Sequence, residues 1–154
     1  THTVFTAILL LMALAQPTQA DENIAEARDF HALQQEMQAK GLPLLLAFRA
    51  DYCGFCKQLE AEYLHPMLTS GKYDTRILIR RFTLDNKESI VDFNGDKIDA
   101  EAFVAHHDAT LTPTVVFLDA EGKEVAERLL GYNSPDFYGA YLEEAIATAQ
   151  KAVQ

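Results

Sequence analysis

The chain has 154 residues, one domain's worth, and its 49% hydrophobic against 23% charged residues is a mixture that builds a core without disulfide staples. The net charge is −10, and the one clustered basic pair, Arg80-Arg81, falls inside an apolar run. No basic stripe is offered, so nucleic acid is excluded as an expected partner, and the acidic balance argues mainly for solubility.

Residues 1–20 contain no Asp, Glu, Lys or Arg. Val4 to Ala15 is an apolar run, too short for a membrane span, which needs ~20 residues. It suits the hydrophobic region of a secretory signal, with Thr18-Gln19-Ala20 as a small-residue cleavage site after Ala20. The alternative is an apolar anchor or a core helix. The expected division is therefore a signal segment over 1–20 and one domain over 21–154, exported to the periplasm or secreted.

Asp21 to Lys40 reads as a helix, with Ile24, Ala27, Leu33 and Met37 at roughly helical spacing and Gly41 as its stop. Leu44 to Phe48 is an unbroken apolar run, as expected of a strand buried on both faces. Asp51-Tyr52-Cys53-Gly54-Phe55-Cys56-Lys57 follows, and then a helical pattern of Leu59, Tyr63, Leu64, Met67 and Leu68. Arg76 to Leu84 reads as a second strand. Ser89 to Ile98 reads as a small hairpin turning at Asn94-Gly95. Asp99 is placed to cap a short helix through His107. Thr114 to Leu118 is a third core strand, and Glu124 to Leu130 pairs back on it after the turn Asp119 to Lys123. Ser134-Pro135 opens a last helix, a cap followed by proline at the first position, with Phe137, Tyr141, Leu142, Ala145 and Ile146 as its inward face. The order predicts an α/β fold, a small mixed sheet with helices on both faces.

Cys53 and Cys56 are the only cysteines. A structural zinc site needs four ligands, commonly two such pairs, and no second pair appears at that spacing. A loop this short staples a fold poorly, because the entropic gain of a disulfide grows with loop length. Redox chemistry is the better use. A sulfur at a helix N-terminus lies near free backbone N–H groups and the positive end of the dipole. That favours the thiolate, the attacking form. Cys53 is the expected nucleophile and Cys56 the resolving thiol one turn on. Gly54 is expected to let the backbone turn tightly, and Phe55 to give a partner an apolar rim. Lys57 adds an adjacent cation. Glu60 and Glu62 are assigned to a solvated face, His106-His107 to a helix surface, and His65 to a helix end or surface.

The run Leu44 to Lys57, with Thr112-Pro113-Thr114 before a strand and Asp119 to Lys123 after it, resembles the thioredoxin superfamily. Within it, the chain is similar to periplasmic thioredoxin-related proteins of the sulfur-oxidation (SoxW-like) type. The likeness covers about Glu26 to Ala147 and implies a thioredoxin-like fold and protein-disulfide oxidoreductase activity. It also implies that Pro113 is cis, and that Thr112 and Pro113 bind a substrate strand beside Phe55 and Tyr52. Many members carry an acid six residues before the first cysteine. Here that position is Ala47, Arg81 falls near the family's basic strand position, and Tyr52 stands where tryptophan is usual. No G-x-G-x-x-G follows a strand, so no nicotinamide or flavin cofactor is expected. The expected partners are protein thiols and disulfides and a membrane or periplasmic thiol electron donor, with no membrane insertion of the mature domain. Three other readings stay open: an oxidase or isomerase of the same fold, a thiol-based copper chaperone, and a non-catalytic adaptor.

Overall fold

Leu44–Arg49 forms β1, and all six residues are buried. A strand covered on both faces must sit mid-sheet, and in the computed structural model, which describes residues 24–154, it does. β2 (Leu78–Thr83) runs parallel to it on one side, and β5 (Thr114–Leu118) runs antiparallel on the other. β6 (Leu129–Leu130) completes the order β2-β1-β5-β6. β3 (Ile90–Val91) and β4 (Lys97–Ile98) form a separate hairpin. Gly95 takes φ 88° in its turn, a conformation open to glycine.

Side chains alternate across a strand, and the alternation divides the core in two. Leu44, Leu46 and Phe48 face α1 (Phe30–Lys40) and α4 (Ala100–His106). Leu45 and Ala47 face α5 (Pro135–Ala152) and the long helical segment that follows the cysteines. That segment is α2 (Gly54–Leu59), a wider π-type stretch over Glu60–Leu64, and α3 (His65–Ser70). The expected mixed sheet with helices on both faces is therefore found.

Four expectations are corrected. The first helix does not run through residues 24–28. Residues 24–28 are extended, with Ala27 N–H donating to Arg81 O at 2.8 Å and Arg81 N–H to Ala25 O at 3.0 Å, a parallel extension of the β2 edge. Ile24 and Ala27 then fall on opposite faces, one in each half of the core. The helix starts only where the Asp29 carboxylate accepts the Ala32 N–H at 2.8 Å. Second, the strand expected over Glu124 to Leu130 is interrupted. Arg128 turns away to donate to the carbonyls of His107 (2.8 Å) and Asp108 (3.1 Å), closing the end of α4. Third, the inward face of α5 is Tyr138, Leu142, Ala145, Ile146 and Ala149, while Phe137 and Tyr141 are exposed. Tyr138 sets this register by packing on Tyr63 and Tyr132, with ring centroids 5.4 and 4.9 Å away. Fourth, His107 is buried against Phe103 and Phe48, and only His106 lies on the surface. The run assigned as a signal, 1–20, lies outside the described residues. Among the described residues no helix is long and apolar enough to cross a membrane.

Candidate functional site

The sheet register puts two loops at one end of the molecule. Phe48, at the end of β1, pairs with Thr114, at the start of β5. The segment after β1, which carries the cysteines, and the segment before β5, which carries Thr112-Pro113, therefore emerge from adjacent strands at the same edge.

Cys53 and Cys56 form a disulfide, with Cα atoms 5.2 Å apart. Cys53 is the N-cap of α2 in an extended conformation, and its Sγ accepts the Cys56 N–H at 3.1 Å. The sulfur thus does what a Ser or Asp oxygen does at other helix starts: it satisfies a backbone donor the helix leaves free. Cys53 is 8% exposed and Cys56 1%, so an incoming group can reach the first sulfur more readily. Gly54 plays no conformational part. Its φ is not positive, and a Cβ there would meet nothing within 4 Å. The tight turn lies just before it, closed by the Cys53 N–H donating to the Ala50 carbonyl at 3.1 Å, and Gly54 is already the first helical residue. Its small size leaves the surface beside the disulfide low.

The Thr112–Pro113 peptide bond is cis. The Pro113 carbonyl accepts the Gly131 N–H at 2.7 Å, and Thr114 Oγ1 donates to Leu111 O at 2.7 Å, so both ends of the loop are tied down. Pro113 is buried and Thr112 half-buried. Tyr52 and Phe55 are strongly exposed on either side of Cys53. Leu111, next to the cis bond, and Leu130, opposite Thr114 in the ladder, are exposed as well. Sequence reasoning missed both. Leu111 left a trace, an apolar residue directly before the Thr-Pro pair, whereas Leu130 becomes a neighbour only through strand pairing. From Gly131 a cleft of about 640 Å³ continues between β6 and α5, lined by Leu129, Leu130, Tyr138 and Tyr141 among others.

One turn along the helix from Cys56 a layer of charge begins. Glu60 is not on a solvated face: it is 8% exposed, because the helix turns it under Cys56 toward Arg49 of β1 and Arg81 of β2. Glu62 is exposed and accepts hydrogen bonds from the Tyr132 hydroxyl and from Gln58, the first of which holds its carboxyl below the usual range. The Tyr132 hydroxyl is pushed above the tyrosine range, first by burial and then by that bond. The Arg49 hydrogen bond lowers the Asp51 carboxyl likewise. Lys57 is exposed. His65 is half-buried at the junction with α3 rather than at a helix end. Among the described residues no three His, Cys, Asp or Glu side chains converge on a possible metal position.

Residues 30–146 match the family model described as a thioredoxin-like domain. The thiol:disulfide interchange protein DsbD of Salmonella paratyphi A is 29% identical over 109 residues, 70% of this chain and 17% of that protein. The DsbD of Citrobacter koseri is 28% identical over 135 residues, 86% of this chain and 22% of that protein. The chain thus spans about a fifth of the length of these curated relatives. A crystal structure of a mutant poplar thioredoxin h superposes with a TM-score of 0.54 at 20% identity, covering 84% of this chain and 90% of that one.

Proposed function

The chain belongs to the thioredoxin-like domain family; we propose that it is a thiol–disulfide oxidoreductase that works outside the cytoplasm as a reductase of protein disulfides. The observation that carries this reading is the Cys53–Cys56 disulfide at a helix start, with the more accessible sulfur capping the helix beside a cis-proline loop. In the forward direction the Cys53 thiolate attacks one sulfur of a substrate disulfide. A Cys53–substrate disulfide forms on the attacked sulfur, and the other substrate sulfur leaves as a thiolate. Cys56 then attacks Cys53 Sγ, releases the second substrate thiolate and closes the internal disulfide. Two electrons have passed to the substrate, and an external dithiol must return them.

Thr112 and Pro113, with Tyr52 and Phe55, are the surface on which an extended substrate segment docks. The exposure of both aromatic side chains supports this, since a solitary domain gains nothing from leaving them in water. The donor is a membrane or periplasmic thiol protein. Support comes from the relatives, in which the corresponding segment is one part of a longer disulfide-interchange protein.

Equilibration with glutathione tests the direction: a potential near ~−270 mV fits a reductase, and one near ~−120 mV would make the chain a disulfide donor instead. Cys53→Ser should abolish turnover. Cys56→Ser should accumulate a persistent mixed disulfide visible on non-reducing gels. Full activity in either variant would sink the mechanism.

A further inference from the structure

On the sheet face that meets the redox helix, β1 presents Leu45, Ala47 and then Arg49, and β2, with Ile77 just before it, presents Ile79 and then Arg81. Each column is apolar at first and becomes cationic toward the end of the sheet from which the cysteine segment emerges. Arg49 is 7% exposed. A buried charge is costly unless it is paired, and the pairing here is specific. Arg49 Nη1 donates to Asp51 Oδ1 at 2.7 Å and to Thr83 Oγ1 at 3.3 Å. Its Nε lies 2.9 Å from Glu60 Oε1, off the hydrogen-bond axis, so that contact is ionic rather than a directed bond.

These two carboxylates bracket the redox pair. Asp51 stands two residues before Cys53. Glu60 stands four after Cys56, on the same helix face, with its N–H donating to the Cys56 carbonyl. A like charge nearby disfavours an anion, so both would oppose the thiolate that the reaction needs. Arg81 is 3.9 Å from Glu60 but closer to Glu26, at 3.1 Å. Lys57 is exposed, and Asp85 accepts the Asp51 N–H. Arg49 is the cation in ionic contact with both bracketing carboxylates.

We propose that Arg49 is a positioning residue for disulfide exchange: its buried guanidinium neutralises Asp51 and Glu60 together and so sets the thiolate fraction of the reduced Cys53–Cys56 pair. The inference rests on the redox reading of that pair. The disulfide carries no charge and the reduced pair acquires one. Compensation by Arg49 therefore favours the reduced form and raises the reduction potential.

The test compares wild type with Arg49→Met, Arg49→Lys, Glu60→Gln and the double variant Arg49→Met/Glu60→Gln. Thiolate absorbance of the reduced protein is followed against pH, and the potential is measured against glutathione. Arg49→Met should move the thiolate titration upward by about one unit, about tenfold less thiolate below its midpoint, and lower the potential. Glu60→Gln should move both the other way, the double variant should return close to wild type, and Arg49→Lys should fall between wild type and Arg49→Met. If Arg49→Met lowers the melting temperature but leaves titration and potential in place, the pair is only a structural tie and the proposal is overturned. Should Arg49→Met not fold, Glu60→Gln decides: an unchanged titration overturns the proposal equally. A wild-type chain without a reversible couple would overturn the redox reading and this inference together, whereas a normal couple indifferent to Arg49 overturns this inference alone.

Discussion

The two faces of the central sheet use the same strands differently. Toward α1 and α4, the centre of the packing is aromatic and aliphatic, with His107 and the Arg80–Glu36 pair beside it: Leu44, Leu46 and Phe48 meet Phe30, Phe82 and Phe103, with Phe30 and Phe103 centroids 4.2 Å apart and Phe82 and Phe103 5.2 Å apart. Toward the redox helix, the layer nearest the cysteines is ionic, held by Arg49, Arg81, Glu26 and Glu60. Apolar burial is non-directional and strong per unit area, whereas a buried ion pair roughly breaks even. The difference teaches a division of labour. Apolar packing, present in both halves of the core, carries stability, and the ionic layer controls what the sulfurs can do.

Phe103→Ala tests that division at its strongest point. Truncating a phenylalanine in the middle of a stacked cluster costs about 3–5 kcal/mol. The division requires that the potential of the Cys53–Cys56 couple stay where it is. Urea unfolding and glutathione equilibration of the same preparation measure the two quantities. A potential that moves with the loss of stability would show that the faces are coupled.

His107 gives the aromatic face a pH dependence. Burial, and then the neighbouring His106, lower its pKa from the ordinary 6.5 to about 4. The folded state therefore prefers the neutral ring, and the unfolded chain binds a proton at higher pH. The contribution is fully present above ~6.5 and is lost as pH falls from there to about 4, amounting to about 3 kcal/mol at most. The carboxyls of Glu36, Asp51, Glu62 and Glu143, lowered by their partners, lose their contributions only below their ordinary values near 4. The interval between pH 6.5 and 4.5 thus isolates the histidine. His107→Phe should flatten the decline of the thermal midpoint across that interval, and an unchanged decline would place its source elsewhere.

The sequence announced the aromatic face better than the charged one, for physical reasons. Leu44 to Phe48 and Val115 to Leu118 are unbroken apolar runs, and few environments other than a doubly covered strand accept them. Cys53 and Cys56 were legible because their spacing and the strand before them speak locally. Arg49 and Glu60 were not. Each is a charged residue beside a motif, and such residues usually reach water. Their burial follows from the packing of α2 over β1, which no local pattern expresses. His107 was misplaced for the same reason, since its neighbour His106 does face solvent. The extended segment at 24–28 escaped because its hydrogen-bonding partner, Arg81, lies more than fifty residues along the chain, while four apolar residues mimic a helical period.

The start of α1 gives the smallest effect and a clean measurement. The chain changes from extended to helical at Asp29, whose carboxylate holds the Ala32 N–H and whose backbone bridges Val91. Removing an N-cap side chain costs about 1 kcal/mol. Asp29→Ala should lower stability by that amount, speed hydrogen exchange at the Ala32 amide and leave the redox potential untouched. Asp29→Asn keeps the capping oxygen but not the charge, and it should retain most of the wild-type stability. If the asparagine variant loses as much as the alanine one, the negative charge at the first turn rather than the cap fixes the start of α1. In that case the loss should also shrink with added salt, because an exposed charge–dipole interaction is screened and a capping hydrogen bond far less so.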